Sequence, residues 1–282
     1  MAHHTVKQGY LDLVDRINRF PQGAPPSELL YRILEMLFSE REAELVSLLP
    51  IRPFKADRAA RVWKMSVDEA RSVLDELAGR AILIDVESED GTTYTLPPPM
   101  AGFFEFSMMR IRDDLDQKVL AELFFQYMNV EEDFIKNLFT DGDTQLGRTF
   151  VSETSLPTDF ALEVLDYERA SHVVDSASHI GVGVCYCRHK MEHIGRACDA
   201  PMNICTTFNA TARSLINHGV IREIDRVEAR DLLQEAYDAN LVQFGENVRQ
   251  GVNFICHCCG CCCEAMLAAQ RFALRQTVHT SA

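Results

Sequence analysis

The sequence predicts an α+β protein in which a mostly helical N-terminal part is followed by a cysteine-rich α/β domain. Apolar residues recur at helical spacing through much of residues 6–79, whereas the runs at 81–96 and 180–184 are typical of strands. None of the ten cysteines lies in residues 1–184, so the last hundred residues have a chemistry of their own. The expected segments are residues 1–98, an acidic helical connector at 99–145, and the cysteine-rich domain at 146–282.

Five helices are predicted before residue 80. Ser27 is placed to cap the second helix, and two capping boxes, Ser39 with Glu42 and Ser66 with Glu69, open the third and the fifth. In such a box the serine and glutamate side chains each accept a hydrogen bond from a free backbone N–H at the start of the helix. The predicted helices span residues 6–20, 28–38, 40–50, 56–64 and 67–79.

A β-hairpin is predicted directly after these helices. Ala81–Glu87 forms the first strand, Asp90-Gly91 the tight turn, and Thr92–Leu96 the return strand. Helices followed by a hairpin at this length resemble a winged helix-turn-helix domain, here covering residues 27–97. In that family the helix before the hairpin reads DNA.

The charge on that helix argues against DNA binding. Its charged side chains are Asp68, Glu69, Asp75 and Glu76 against Arg71 and Arg80. A helix with a net negative charge is repelled by phosphate. The segment before it carries a basic stripe, made of Arg52, Lys55, Arg58, Arg61 and Lys64. DNA binding by the winged helix therefore stays open as an alternative, and the preferred interpretation is a winged helix that docks to a protein or has a structural role.

The cysteines are concentrated in a way that core packing does not explain. Six of them fall within eight residues, and the whole set is Cys185, Cys187, Cys198, Cys205, Cys256, Cys258, Cys259, Cys261, Cys262 and Cys263. Thiolates are soft ligands for zinc, copper(I) and iron–sulfur clusters. A disulfide framework fits poorly, because a bridge needs Cα atoms about 4.4–6.8 Å apart and side chains that converge. Six cysteines within eight residues cannot pair with one another in this way, and only four distant cysteines remain as partners. We expect all ten residues to be candidate metal ligands.

The first four cysteines have the spacing Cys-x-Cys-x(10)-Cys-x(6)-Cys. Four thiols within 21 residues suit one four-thiolate site, although the spacing matches neither a common zinc knuckle nor the bacterial ferredoxin run. A buried strand at 180–184 leads into them, and Pro201 is expected to start a helix that contains Cys205. Arg188 and Lys190 give the loop after Cys187 a positive bias, which fits contact with a negatively charged cluster.

Two strings together resemble a family of anaerobic bacterial iron–sulfur proteins, described as ferredoxin-type and binding [4Fe–4S] clusters. The first reads Cys-Tyr-Cys-Arg-His-Lys…Gly-Arg-Ala-Cys-Asp-Ala-Pro-Met-Asn-Ile-Cys, and the second reads Asn-Phe-Ile-Cys-His-Cys-Cys-Gly-Cys-Cys-Cys. The resemblance covers about residues 145–275. It implies two [4Fe–4S] clusters, one held by Cys185, Cys187, Cys198 and Cys205, and one by members of the 256–263 run. Zinc is the alternative metal.

Composition limits the partners and the location. The net charge of −14 argues against non-specific nucleic-acid binding and is compatible with docking to a basic redox partner protein. No apolar run approaches the ~20 residues that span a bilayer, so no membrane insertion is expected. The N-terminus has no apolar signal-peptide stretch, so a cytoplasmic location is expected.

These observations predict an iron–sulfur electron-transfer protein that passes electrons to or from a partner oxidoreductase. Three alternatives remain: a cluster-based reductase of disulfides or thiols in which Cys258 or Cys263 takes part, a redox-responsive winged-helix regulator, and a structural zinc protein. The sequence contains no phosphate-binding glycine loop, nucleophile elbow or zinc-protease motif. An electron carrier or an oxidoreductase subunit is therefore favoured over a stand-alone enzyme.

Overall fold

The structure is a computed structural model that describes residues 6–20, 22–140, 146–155 and 168–272. It contains both helices and sheets, so the predicted α+β class is confirmed at that level. The chain divides into two compact units, Met1–Phe134 and Ile135–Ala282.

The first unit is mostly helical and contains one small sheet. Its helices are α1 (Gln8–Ile17), α2 (Glu28–Leu37), α3 (Glu40–Ser47), α4 (Ala56–Trp63), α5 (Val67–Gly79), α6 (Phe104–Phe106) and α7 (Gln117–Phe125), with π-type turns at Pro99–Phe103 and Gln126–Val130. Its strands are β1 (Phe54–Lys55), β2 (Ile84–Val86) and β3 (Thr93–Thr95). Helix α8 (Asp133–Thr140) crosses the division between the units.

The caps predicted for the first unit are confirmed. The Ser27 hydroxyl accepts a hydrogen bond from the first turn of α2, and complete capping boxes open α3 at Ser39 and α5 at Ser66.

The three strands form an antiparallel sheet in the order β1-β3-β2, with α4 and α5 between β1 and β2 along the chain. The hairpin is present, but its first strand is shorter than predicted and residues 87–92 join the two strands. Within this connection the N–H of Gly91, at φ +102°, donates to the carbonyl of Ser88 at 3.0 Å.

The second unit is built on a larger sheet. Its strands are β4 (Gly147–Thr149), β5 (Ile180–Val184), β6 (Asn203–Phe208), β7 (Arg222–Glu223), β8 (Val242–Glu246) and β9 (Phe254–Cys258). Its helices are α9 (Ala170–Ser176), α10 (Tyr186–His193), α11 (Asn209–Asn217), α12 (Arg226–Asp238) and α13 (Glu264–Arg271), with a 3-10 turn at Glu153–Ser155.

All the strand pairs of this sheet are antiparallel, in the order β4-β8-β9-β6-β5-β7. An apolar core lies against it, in which Phe208 and Ile255 from the two central strands join side chains of α9 and α12 such as Val174 and Ala229. Burial of these side chains fixes the register of β6 against β9, because a shift of one residue would turn each apolar side chain to the opposite face. That register also places the cysteines of the two strands side by side.

Two expectations for the cysteine-rich part are wrong. Pro201 does not start a helix: residues 203–208 form β6, whose β-branched Ile204, Thr206 and Thr207 suit a strand between two partners, and the helix begins only at Asn209. The segment after Cys185, expected to be a loop, is helix α10. Tertiary pairing of β6 with β5 and β9 overrides the local pattern in the first case.

Candidate metal centre

The cysteines lie where the strands of the second unit end and helices begin. Cys185 follows β5 and is the N-cap of α10, and Cys263 is the N-cap of α13. Cys205 lies on β6, whereas Cys256 and Cys258 lie on β9. The other members are Cys187 in α10, Cys198 in the loop before β6, and Cys259, Cys261 and Cys262 in the turn between β9 and α13. All ten are free thiols.

Four of the thiols form a compact group near the surface, which we call the outer quartet: Cys198, Cys259, Cys261 and Cys262. All four Sγ atoms lie within 4.8 Å of one another. The Sγ of Cys198 is 3.7 Å from that of Cys259 and 3.8 Å from that of Cys262, and the Sγ atoms of Cys261 and Cys262 are 3.6 Å apart. Cys262 is buried and Cys261 is exposed. The group is therefore suited to hold a metal ion or cluster at the edge of the unit.

The remaining thiols form a connected network, which we call the inner six: Cys185, Cys187, Cys205, Cys256, Cys258 and Cys263. Four of these residues are buried, and Cys187 and Cys256 are half-buried. The network runs by hydrogen bonds from Cys185 to Cys205 and on to Cys256, its neighbour on β9. It continues to Cys258, whose Sγ lies 3.1 Å from that of Cys263, and ends at Cys187. Six thiols from four secondary-structure elements thus meet in the interior.

Each group contains one thiol that ionises readily. Hydrogen bonds from the thiols of Cys187 and Cys258 hold the pKa of Cys263 well below its usual range, although burial opposes this. Burial also raises the pKa of Cys198, but the N–H of Ala200 and the neighbouring thiols lower it overall to about 7. By contrast, the hydrogen bond with Cys205 and burial raise the pKa of Cys185.

The guanidinium of Arg188 is fully buried among these thiols. It donates hydrogen bonds to the carbonyl of Pro201 at 2.7 Å, to the carbonyl of His257 at 2.6 Å, and to the thiol of Cys259. Burial lowers the pKa of Arg188, but the negative charge available on Cys185, Cys259 and other thiols raises it above the ordinary value. Arg188 thus adjoins both the inner six and the outer quartet.

Lys190 lies on the same helix and is also fully buried. It forms an ion pair with Glu264, which is 3% exposed. Burial lowers the pKa of Lys190 to about 8, although Cys187, Cys263 and Cys262 act in the opposite direction. Arg188 and Lys190 bring two positive charges into the interior and Glu264 brings one negative charge. Among these three residues one positive charge is thus in excess, and an uncompensated buried charge is costly. An ionised thiol would supply the negative charge that compensates it.

His257 is a further buried polar residue that the sequence reasoning missed. It is 0% exposed, and neither ring nitrogen has a hydrogen-bond partner among the described residues. Burial, with a smaller effect of Arg188, lowers its pKa to about 3, so the ring is neutral. The sequence clue is its position between Cys256 and Cys258 on a strand, which leaves it on the opposite face from both.

The structure groups the cysteines differently from their order in the chain. The thiol contacts of Cys198 are with the outer quartet, so the four-cysteine site expected from Cys185, Cys187, Cys198 and Cys205 is divided between the two groups. Arg188 and Lys190 lie beside thiols of both groups. Glu264, the partner of Lys190, had no distinguishing pattern in the sequence beyond following the last cysteine.

The comparisons with known proteins leave the chain without an assigned family. No protein-family model, no curated protein and no solved structure matches it. Among the described helices, none combines the length and the apolar character that crossing a bilayer requires.

Proposed function

We propose that this chain is an iron–sulfur electron-transfer protein, in which the inner six hold a [4Fe–4S] cluster that exchanges electrons with a partner oxidoreductase. The observation that carries the proposal is the burial of Arg188 and Lys190 among thiols. Glu264 compensates Lys190, but a neutral set of protonated thiols leaves the charge of Arg188 without compensation, whereas thiolates bound to a metal offer negative charge directly. The buried cations therefore favour a metal-bound, anionic centre.

The number of donors favours a cluster over a single ion in the inner six. One structural zinc ion takes four ligands in a tetrahedron. The network instead extends through six thiols, from Cys185 at one end to Cys187 at the other. A cluster with several irons uses thiolates spread in this way, and four of the six suffice for [4Fe–4S]. Bound there, such a cluster would supply one-electron transfer.

The protein side chains would hold and tune that centre. Arg188 and Lys190 offset its negative charge, which makes acceptance of an electron more favourable. Cys185, Cys258 and Cys263 are each less than 9% exposed, so water is largely excluded. Glu264 fixes the position of the Lys190 ammonium group. Ten free thiols fit a reducing compartment, which supports a cytoplasmic location.

For the first unit we propose a winged helix that serves as a docking or structural module. The order helix, strand, two helices, hairpin, together with the sheet order β1-β3-β2, supports this assignment. On α5 the side chains of Asp68, Glu69, Asp75 and Glu76 are exposed, and this negative surface is unsuited to phosphate. The expected partner is therefore a protein, and retention of duplex DNA at moderate salt would overturn this part of the proposal.

Reductive titration of the full chain, isolated without air, tests the proposed function. We expect a visible chromophore that bleaches and recovers reversibly with one-electron reductants. The bleaching should be lost in a Cys187→Ala, Cys205→Ala, Cys258→Ala triple variant, which leaves only three thiols of the inner six, and kept in Cys261→Ser, whose thiol belongs to the outer quartet. A chain with no reducible chromophore, or one whose chromophore the triple variant leaves intact, would overturn the proposal. Catalytic turnover of a disulfide or thiol substrate would favour the reductase instead.

A further inference from the structure

The sulfur atoms of the outer quartet lie at separations that suit a single metal ion. In a tetrahedral thiolate site the metal–sulfur distance is about 2.3 Å, which places neighbouring sulfurs about 3.8 Å apart. The measured separations in the outer quartet are 3.6, 3.7 and 3.8 Å, and every pair lies within 4.8 Å. The quartet therefore has the dimensions of a site for one ion.

A four-iron cluster places its ligands differently. Each thiolate binds a separate iron at a corner of the cube and points outward, so the four sulfurs lie farther apart than four sulfurs on one ion. Three thiols of the quartet come from the single turn Cys259–Cys263, and with Cys198 every pair of the four Sγ atoms lies within 4.8 Å, which is too close for ligands of four separate irons. The geometry of the quartet thus differs from what the sequence-based expectation of a second cluster requires.

Hydrogen bonds tie together the two chain segments that carry the quartet. The backbone N–H of Ala200 donates to the sulfur of Cys198, and the backbone N–H of Cys198 donates to the sulfur of Cys262. The side-chain amide of Gln270, in α13, donates to the carbonyl of Gly260 at 2.9 Å and so holds the turn between β9 and α13 in place. Backbone N–H groups directed at sulfur stabilise thiolates rather than thiols.

We infer that the outer quartet is a separate mononuclear site, in which Cys198, Cys259, Cys261 and Cys262 bind one divalent ion, zinc or iron, in tetrahedral coordination. This inference goes beyond the proposed function, since the site would exist whether or not the inner six hold a cluster. Binding replaces thiol protons, which pass to solvent, and needs no oxidant or reductant. The ion would fasten the loop before β6 to the turn that leads into α13.

Cobalt(II) binding and elemental analysis of the full chain test the inference. We expect one equivalent of cobalt to give the ligand-field bands of tetrahedral thiolate coordination, and zinc to displace it at equal stoichiometry. A Cys198→Ser, Cys261→Ser double variant should lose this binding and one native metal equivalent, with unchanged acid-labile sulfide. Cys258→Ala should keep the cobalt site. Elemental analysis of the wild-type chain distinguishes zinc from iron.

Two results would overturn the inference. One is a loss of about four irons with matching sulfide in the double variant, which would make the quartet part of a cluster. The other is unchanged cobalt binding in that variant. Single variants at Cys198 and Cys261, checked for native circular dichroism, separate a lost ligand from a lost fold. If the chain contains no iron or sulfide but binds cobalt as described, the proposed function fails and the mononuclear site stands.

Discussion

Replacement of Arg188 by methionine removes the buried cation on which the account of the centre depends. The Arg188 side chain is fully buried and donates to the carbonyls of Pro201 and His257 at 2.7 and 2.6 Å. Methionine is unbranched and apolar, so the change removes the hydrogen bonds to both carbonyls and to the Cys259 thiol, and the charge, while keeping much of the volume. The expected result is a large loss of stability in the metal-loaded protein.

The magnitude follows from the two kinds of interaction that are lost. A buried acceptor left without a partner costs about 1–3 kcal/mol, so two carbonyls predict a loss of about 2–6 kcal/mol. Loss of the charge adds to this where nearby thiolates are ionised, because two unit charges about 4 Å apart attract by about 4 kcal/mol at an effective dielectric constant of about 20. We expect the free energy of unfolding to fall by at least about 2 kcal/mol.

The assay is urea unfolding of the anaerobic, metal-loaded chain. Arg226→Met is the matched control, since Arg226 is exposed and donates to the carbonyl of Ala177 at 3.0 Å in the same unit. The control should change stability by no more than about 1 kcal/mol. The reduction potential should also become more negative in Arg188→Met, with a smaller change in Arg188→Lys, which keeps the charge. Equal stabilities of the two methionine variants with an unchanged potential would refute the reasoning.

Three further predictions concern the fold. Ser66→Ala removes a capping box and should lower stability by about 1 kcal/mol, while Ser72→Ala, at an exposed position within α5, should have little effect; equal losses would contradict the cap. Gly245→Ala would place a Cβ 2.6 Å from the carbonyl oxygen of Phe254, so a loss of about 1–3 kcal/mol is expected in thermal unfolding, and a neutral change would contradict the close approach. Burial raises the pKa of Glu246 above its ordinary value of 4.5. The unfolded chain therefore loses the proton of Glu246 at a lower pH than the folded chain does, so the stability of the protein should fall as the pH rises from 4.5 to the folded-state pKa. Glu246→Gln should therefore gain stability over the wild type as the pH rises above 4.5, and a difference that stays constant with pH would contradict this.

The N-terminal elements were predictable because their information is local. A serine followed three residues later by glutamate specifies a helix start by itself, and both such boxes are present at Ser39 and Ser66. An Asp-Gly pair between β-branched runs likewise specifies the hairpin that Gly91 closes. These features need no partner from elsewhere in the chain, so the sequence alone determines them.

From the sequence, the cysteine-rich part was predictable as a candidate metal centre, but the grouping of its thiols was not. Crowded thiols with Arg188 and Lys190 nearby indicated a metal centre, because few other structures tolerate such a composition. The separation of Cys198 from Cys185 and Cys205 depends on the pairing of β6 with β5 and β9, which is a long-range property. For the same reason β6 was expected to be a helix, since its sequence shows no sheet partner. The burial of His257 and Glu264 also follows only from the packed structure.

The content of iron and acid-labile sulfide, measured on the full chain purified under strict exclusion of oxygen, decides whether the inner six hold a cluster. The account predicts about four irons and four sulfides per chain for one [4Fe–4S] cluster in the inner six, and one additional divalent ion. A preparation that retains its native fold yet contains neither iron nor sulfide would contradict it.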